Sequence, residues 1–238
     1  EESTAWPMVT GTVDRGGLGF NYKWNMGWMN DTLRYMSMDP YFRKPNHDLL
    51  TFVMCYAYSE NFILPLSHDE VVHGKQSLID KMYGSYEEKF AAYRTLLGYY
   101  LSLPGKKLMF MGGEIAQFIE WHLLKLDMHK RFQEYVKEIN GFYLNSKPFW
   151  EIDSSWDGFR WINEKDRDNS VLSYMRKDKD GEYVIVVANF TPVGRSNYKI
   201  DVPEAGSYEV VMNSDWKRFG GGGMSRKRKY KAVRNKNS

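Results

Sequence analysis

The stretch Asn61-Phe62-Ile63-Leu64-Pro65-Leu66-Ser67-His68-Asp69-Glu70 decides the fold class of this chain. It begins as a short apolar run bounded by polar residues, which is typical of a buried parallel strand. The run then stops at a histidine and two carboxylates. Folds made of parallel strands and helices place their chemistry at the C-terminal ends of the strands. The stretch therefore predicts a strand over 62–66 that leads directly into a functional site.

The segments around this strand predict an alternation of strands and helices. Ser85-Tyr86-Glu87-Glu88 is a capping-box pattern that begins a long helix. The other predicted helices are Trp28 to Met36, Asp48 to Tyr58, which we expect to be buried, and Phe132 to Leu144. The predicted strands are Phe20 to Trp24, Phe62 to Leu66 and Lys107 to Met111. This order predicts an α/β fold with parallel strands and helical crossovers. Three strands are too few to close a barrel of eight.

The sequence pattern changes after Pro148-Phe149-Trp150. Four short segments that are typical of strands follow, separated by turn sequences such as Asp178-Lys179-Asp180-Gly181. These segments are Phe159 to Asn163, Val171 to Arg176, Tyr183 to Asn189 and Tyr208 to Met212. We therefore predict two domains: an α/β part over residues 1–150 and a small antiparallel all-β domain over residues 151–238.

The charge of the chain lies mostly in its basic tail. The formal net charge is +3, and Arg226 to Arg234 holds most of the excess. Because the remaining chain is near neutral, we predict no nucleic-acid binding by the fold. A disordered, solvated end is the favoured interpretation of the tail. The alternative is a polyanion-binding segment whose affinity would depend strongly on salt.

Cysteine content and hydropathy indicate the cellular location of the protein. Its one cysteine, Cys55, lies in an apolar stretch, so no intrachain disulfide is possible and we expect a buried, inert thiol. A single thiol fits a reducing compartment. The chain shows no signal-peptide pattern and no run approaching the roughly 18 apolar residues of a membrane span. We therefore predict a cytoplasmic protein without a membrane partner.

Several kinds of chemistry are open to the residues after the strand. A metal site is one interpretation of His68, Asp69, Glu70 and His73. Their spacing differs from H-E-x-x-H, and the chain has neither a G-x-S-x-G elbow nor a nucleotide-binding glycine pattern, so no metal or cofactor is predicted. The chemistry that remains is that of paired carboxylates, as in glycosidic bond cleavage, and Glu1 and Asp69 are the candidate residues. A plain surface loop is the alternative without a function.

Long sequence strings add a resemblance to these patterns. They are Glu1-Glu2-Ser3-Thr4, Gly17-Leu18-Gly19-Phe20, Lys23-Trp24-Asn25, Gly27-Trp28-Met29, Leu64 through Lys75 and Phe110-Met111-Gly112. To about residue 220, the chain resembles the glycogen branching enzymes of the α-amylase clan. The resemblance implies the C-terminal part of a (β/α)8 barrel followed by the β domain. It also implies a retaining transglycosylation in glycogen biosynthesis, in which an α-1,4-glucan is cut and transferred to a 6-hydroxyl as an α-1,6 branch.

The same resemblance implies roles for individual residues. Glu1 matches the general acid/base of the family, and Asp69 matches the carboxylate that stabilises the transition state. His68 matches a histidine that binds the substrate, an α-glucan. Three tryptophans either line sugar subsites or, as we expect, pack in the core: Trp24, Trp28 and Trp121.

The chain also departs from the family pattern. The motif of the family's aspartate nucleophile lies upstream of Glu1, so we expect a C-terminal fragment that is inactive alone. A non-catalytic glucan-binding remnant is the alternative. The loop after Glu120-Trp121 is shorter than in the family. From about residue 221, within the glycine run Gly220 to Gly223, a basic tail replaces the last strands of the family's β domain. We therefore expect an incomplete β domain. The sequence predicts no oligomeric state.

Overall fold

The structure is a computed structural model that describes residues 6–72, 74–118, 127–224 and 229–234. In these ranges, strands and helices alternate in the first part of the chain, and antiparallel strands follow. In chain order, the elements are β1 (Lys23–Trp24), α1 (Met26–Ser37), α2 (Asp48–Thr51), β2 (Phe62–Leu66), α3 (Tyr86–Ser102), β3 (Lys106–Met109), α4 (Asp127–Asn145), β4 (Phe159–Asp166), β5 (Val171–Lys177), β6 (Tyr183–Asn189), β7 (Gly206–Glu209) and β8 (Lys229–Ala232).

The strand predicted over 62–66 is confirmed and lies at the centre of a parallel sheet. The strand order is β1-β2-β3, and both neighbours run parallel to β2. Ile63 lies opposite Lys106, and Leu66 lies opposite Met109. Helix α1 lies in the connection from β1 to β2, and α3 lies in the connection from β2 to β3. Parallel strands need such crossovers, and their C-terminal ends therefore meet at one edge of the sheet.

A proline is tolerated inside this central strand because of where β1 ends. The carbonyl oxygens of Asn61 and Ile63 accept hydrogen bonds from the β1 side, whereas that of Leu66 accepts one from the β3 side. Successive residues of a strand alternate between its two neighbours. Pro65 therefore faces the β1 side beyond Trp24, where β1 has ended. Its missing N–H removes no bond from the ladder.

Helix α3 confirms the predicted capping box and packs at the centre of the core. The Ser85 hydroxyl accepts a hydrogen bond from the Glu88 amide at 3.4 Å, and the Glu88 carboxylate accepts one from the Ser85 amide at 2.7 Å. The helix buries apolar side chains on most of its circumference, including Phe90, Leu96 and Leu97. A helix of this kind packs against neighbours on several sides.

Antiparallel sheets form the second part of the chain, as predicted. Strands β4, β5 and β6 pair in sequence order, with Val171 opposite Asn189 and Lys177 opposite Tyr183. Strands β7 and β8 form a separate antiparallel pair. One continuous core joins the β4–β6 sheet to the α/β part, since Leu172 and Tyr174 cluster with residues of α1 and α3.

The prediction of a buried cysteine is wrong, and the local helix geometry explains why. The predicted helix over 48–58 is α2 followed by a 3₁₀ turn, Phe52–Cys55. In a 3₁₀ turn, side chains three residues apart point the same way. Val53 and Met54 point into the core, so Phe52 and Cys55 are both exposed.

Two other predictions differ from the structure near the ends of sheets. The basic tail is not entirely unstructured, because Lys229–Ala232 pairs with Gly206–Glu209. Glu209 lies opposite Lys229, and opposite charges across a strand pair are stabilising. The strand predicted over 20–24 is limited to Lys23–Trp24, because Asn25 already caps α1.

Candidate active site at the sheet edge

The candidate site begins where β2 ends. Ser67 follows the strand and is buried, and a single 3₁₀ turn, His68–Glu70, comes next. The backbone leaves the sheet edge in this turn, which lifts the side chains of His68 and Asp69 towards solvent. Both side chains are about half exposed, at 53% and 40%. The strand thus places an ionisable pair in an accessible position at the C-terminal edge of the parallel sheet.

His68 and Asp69 contact each other directly. The imidazole Nε2 of His68 lies 3.2 Å from Oδ1 of Asp69. The aromatic ring of Phe110, which follows β3, lies 5.9 Å from the imidazole ring between centroids. The pair is therefore oriented from two sides, by its own turn and by the end of the adjacent strand. The remaining carboxylate oxygen and the other imidazole nitrogen are suited to hydrogen bonds with hydroxyl groups.

A lysine further along the chain fixes the turn that carries Asp69. The ammonium group of Lys75 donates a hydrogen bond to the backbone carbonyl of Asp69. The ammonium group of Lys81 lies near the Glu70 carboxylate. Burial lowers the pKa of Lys81, and the negative charge of Glu70 partly offsets that effect. Lys75 thus holds the backbone of the turn, and Lys81 places positive charge near Glu70.

The end of β3 forms a second tight turn at the same edge. Gly112 has a φ of +90°, a conformation that favours glycine. The Glu114 carboxylate folds back and accepts a hydrogen bond from the Gly112 amide at 2.8 Å. The Tyr93 hydroxyl donates to the carbonyl of Gly113 at 3.0 Å. Glu114 is thereby held by its own backbone.

The end of β1 contributes a structural group. The Asn25 side chain accepts hydrogen bonds from the Trp28 amide at 2.9 Å and from the Tyr56 hydroxyl at 3.2 Å. It therefore caps α1. Trp28 is 1% exposed and stacks on Tyr100 at 5.6 Å, which confirms core packing as its role. Trp24 is half-buried in β1.

Three residues named in the sequence analysis lie outside the described residues: Glu1, His73 and Trp121. Within the described ranges, no three His, Cys, Asp or Glu side chains are grouped so as to hold a metal ion. Over the same ranges, no helix has the length and apolar character that crossing a membrane requires.

Sequence reasoning missed two contacts of the site, those of Lys75 and Phe110. Lys75 reaches back six residues to the Asp69 carbonyl. Its place in the string that ends at Lys75 is the only signal the sequence offers. Phe110 was part of a predicted strand, but its contact with His68 depends on the β2–β3 pairing.

Comparison with known proteins identifies the type of the C-terminal domain. A family model described as the α-amylase C-terminal all-beta domain matches residues 161–238. This range holds β5 to β8 and most of β4. The chain thus joins a parallel α/β part, with an ionisable pair at its sheet edge, to a C-terminal domain of the α-amylase type.

Individual relatives give a more specific similarity than the domain family does. The chain is 59% identical to a 1,4-alpha-glucan branching enzyme of Halothermothrix orenii over 233 residues, which is 94% of this chain. It is 50% identical to the enzyme of the same name from Bacillus cytotoxicus over 242 residues, or 98% of this chain. Over nearly its whole length, the chain is thus similar to these branching enzymes.

The match covers only part of each relative. The chain spans 37% of the Halothermothrix protein and 38% of the Bacillus protein. The Bacillus match extends over 242 residues although this chain has 238. That relative therefore contains residues for which this chain has no counterpart.

Proposed function

We propose that the chain supplies part of the active site of a 1,4-α-glucan branching enzyme. The reaction is a retaining transglycosylation. An α-1,4-glucan is cleaved, held as a covalent glycosyl-enzyme, and transferred to a 6-hydroxyl to form the α-1,6 branches of glycogen. The observation that carries the proposal is the identity of 50–59% to branching enzymes over nearly the whole chain.

Two carboxylic side chains have separate tasks in this proposal. Glu1 is the general acid/base: it donates a proton to the leaving glycosidic oxygen and takes one from the incoming 6-hydroxyl. Asp69 is the second carboxylate and binds sugar hydroxyls as positive charge develops on the sugar ring. His68 binds a neighbouring hydroxyl of the same sugar. The exposure and mutual contact of His68 and Asp69 support these roles.

The nucleophile of the reaction is an aspartate whose motif lies upstream of Glu1 in the family. We therefore propose that the 238 residues alone bind α-glucan without turning it over.

The proposed barrel likewise requires segments beyond the described ranges. A closed barrel has no sheet edges, whereas β1 and β3 are edge strands in the part of the chain described here. Completion of a (β/α)8 barrel needs strands outside these ranges.

The remaining predictions are part of the same proposal. Residues 1–150 form the C-terminal part of the catalytic barrel, and residues 151–238 form the β domain, of which 161–238 match a domain family. The α-glucan is the partner, and no nucleic acid, membrane, metal or cofactor takes part. The free thiol of Cys55 supports a reducing, cytoplasmic location.

A chimera tests the proposal. In it, the 238 residues replace the matching segment of the Halothermothrix enzyme. We expect the chimera to form α-1,6 linkages from amylose, detected by the anomeric proton signals of the product. Glu1→Gln should lower branching by at least about 100-fold, since an amide cannot donate and recover the proton, while amylose binding remains. A folded chimera that binds amylose but forms no branches would count against the proposal.

A further inference from the structure

The turn that follows β3 connects the sheet-edge site to the core of the chain. The Phe110 amide donates a hydrogen bond to the Leu66 carbonyl at 2.8 Å, so Phe110 continues the ladder beside the end of β2. The Gly113 amide then donates to the Phe110 carbonyl at 3.2 Å and closes a four-residue turn. Gly112, with its positive φ, occupies the third position, as in a type II turn. The turn therefore begins at the residue whose ring lies against His68.

Two hydrogen bonds act on this turn in different ways. The Glu114 carboxylate accepts one from the Gly112 amide at 2.8 Å, and this bond fixes the shape of the turn from within. The Tyr93 hydroxyl donates one to the Gly113 carbonyl at 3.0 Å, and Tyr93 belongs to α3. The bond from Tyr93 therefore fixes where the turn lies relative to the core.

The Tyr93 side chain is itself held rigidly. Its ring is fully buried and stacks on the ring of Phe132 of α4, with the centroids 4.9 Å apart. Contact with the turn is close, because a Cβ on Gly113 would lie 3.1 Å from the Tyr93 hydroxyl and 3.0 Å from the Met109 side chain. Burial and the charge of Glu114 hold the pKa of Tyr93 well above its ordinary value. The hydroxyl therefore keeps its proton and stays a donor.

A second helix holds the segment beyond the turn. On α4, Nδ1 of the buried His129 lies 2.8 Å from the carbonyl oxygen of Ile115. The bond from Tyr93 is nearer to Phe110 along the chain. Of these two helix residues, Tyr93 is therefore the one whose change should be transmitted more directly to the His68 imidazole.

We propose that Tyr93 is a positioning residue for the sheet-edge site, because it holds the turn after β3 where the Phe110 ring keeps the His68 imidazole in one orientation. The orientation matters since a hydrogen bond weakens steeply as its geometry departs from linear. The consequence for branching rests on the proposed function, whereas the structural link from Tyr93 to His68 does not.

NMR spectra of the full 238-residue chain test the link, because the ring current of Phe110 shifts the signals of the His68 imidazole. The spectrum of His68→Gln identifies these signals, and Phe110→Leu, which removes the ring, shows how they move. Tyr93→Phe removes only the hydroxyl and should move the signals in the same direction as Phe110→Leu. Tyr135→Phe is the matched control, because Tyr135 is also buried and donates to the Arg94 carbonyl at 2.8 Å. It should leave the signals in place.

Branching by the chimera tests the consequence. Tyr93→Phe should lower the rate about tenfold, since a small displacement of a binding group slows catalysis, whereas Tyr135→Phe should leave the rate nearly unchanged. His68 signals that stay in place in Tyr93→Phe, or that move equally in both variants, would overturn the proposal. Equal rates for the two variants of an active chimera would also overturn it. His68 signals that move in Tyr93→Phe but not in Tyr135→Phe, together with a parent chimera that makes no branches, would retain the link and reject the proposed function.

Discussion

Buried arginines connect the α/β part of the chain to its β sheets. Arg176 on β5 is completely buried and donates to the carbonyl oxygens of Gly158 at 3.0 Å and Ser102 at 2.9 Å. It also donates to the carboxylate of Asp153 at 3.0 Å. Ser102 is the last residue of α3, so Arg176 satisfies a helix-end carbonyl that would otherwise lack a partner. One side chain thus stabilises the contact between a helix and a sheet.

We predict that Arg176→Met destabilises the fold by about 3–5 kcal/mol, because it leaves several carbonyl groups without their donor and removes the buried partner of the Asp153 carboxylate, which keeps only the longer contact with Lys106. Urea unfolding monitored by tryptophan fluorescence measures the change. Arg167→Met is the matched control: Arg167 pairs with Asp48 at 2.8 Å, but both side chains are more than half exposed. Its effect should stay within about 1 kcal/mol. Equal effects of the two substitutions would contradict this account.

The second prediction at the residue scale concerns His47. Its ring is buried, with Nε2 3.1 Å from the carbonyl oxygen of Glu164 on β4. Burial lowers the pKa of His47 below 6.5. As the pH falls below 6.5, the unfolded chain binds a proton that the folded chain refuses, so the free energy of unfolding decreases.

Comparison of His47→Gln with the parent chain isolates this contribution. The glutamine cannot bind the proton, so the loss of stability between pH 6.5 and pH 5 should be smaller in the variant. Urea unfolding at several pH values provides the measurement. Parallel stability curves for the two proteins would show that His47 does not titrate with folding.

At the scale of elements, α3 shows what a local pattern decides. The box of Ser85 and Glu88 fixes where the helix begins. We predict that Ser85→Ala lowers stability by about 1 kcal/mol, the usual loss for a helix cap. Thr95→Ala, at a half-buried position in the middle of the same helix, should change stability by less than Ser85→Ala does, because Thr95 caps no helix end and alanine favours a helix interior. Thermal unfolding of both variants checks the difference, and an unchanged midpoint for Ser85→Ala would refute it.

Strands and helices with strong local signals were predictable from the sequence. β2 and β6 have their predicted bounds, and the capping box is present. Each of these signals comes from a few consecutive residues. Cys55 was predicted wrongly because apolar neighbours do not distinguish an α-helix from a 3₁₀ turn. The short strand at Lys229–Ala232 was missed because its partner lies some twenty residues away.

The candidate site was predictable only in part, for a related reason. The position of His68 and Asp69 after a buried strand is a local property, and the structure places both at the sheet edge. The contacts of Lys75 and Phe110 depend on how separate segments fold together. The hydrogen bonds of Arg195 to Asn169 and of Tyr198 to Asp166 likewise join two segments that are distant in sequence. No periodicity reports such contacts.

At the scale of the whole molecule, the parallel sheet is open at β1 in the described part of the chain. β1 has only two residues and is an edge strand within the described ranges. Large apolar side chains are exposed in the segment before it, including Trp6, Val13 and Phe20. Exposed apolar surface of this kind marks contact sites. In the proposed barrel, preceding strands would cover this region.

The measurement that tests the central claim most directly is the branching rate of the chimera carrying Asp69→Asn, with Glu70→Gln as the control from the same turn. Asp69 is proposed to stabilise the transition state, whereas Glu70 has no assigned role. The account predicts that Asp69→Asn lowers α-1,6 linkage formation by at least about 100-fold. Glu70→Gln should leave the rate within a few-fold of the parent chimera. A near-normal rate for a folded Asp69→Asn chimera would contradict the assignment of the sheet-edge site.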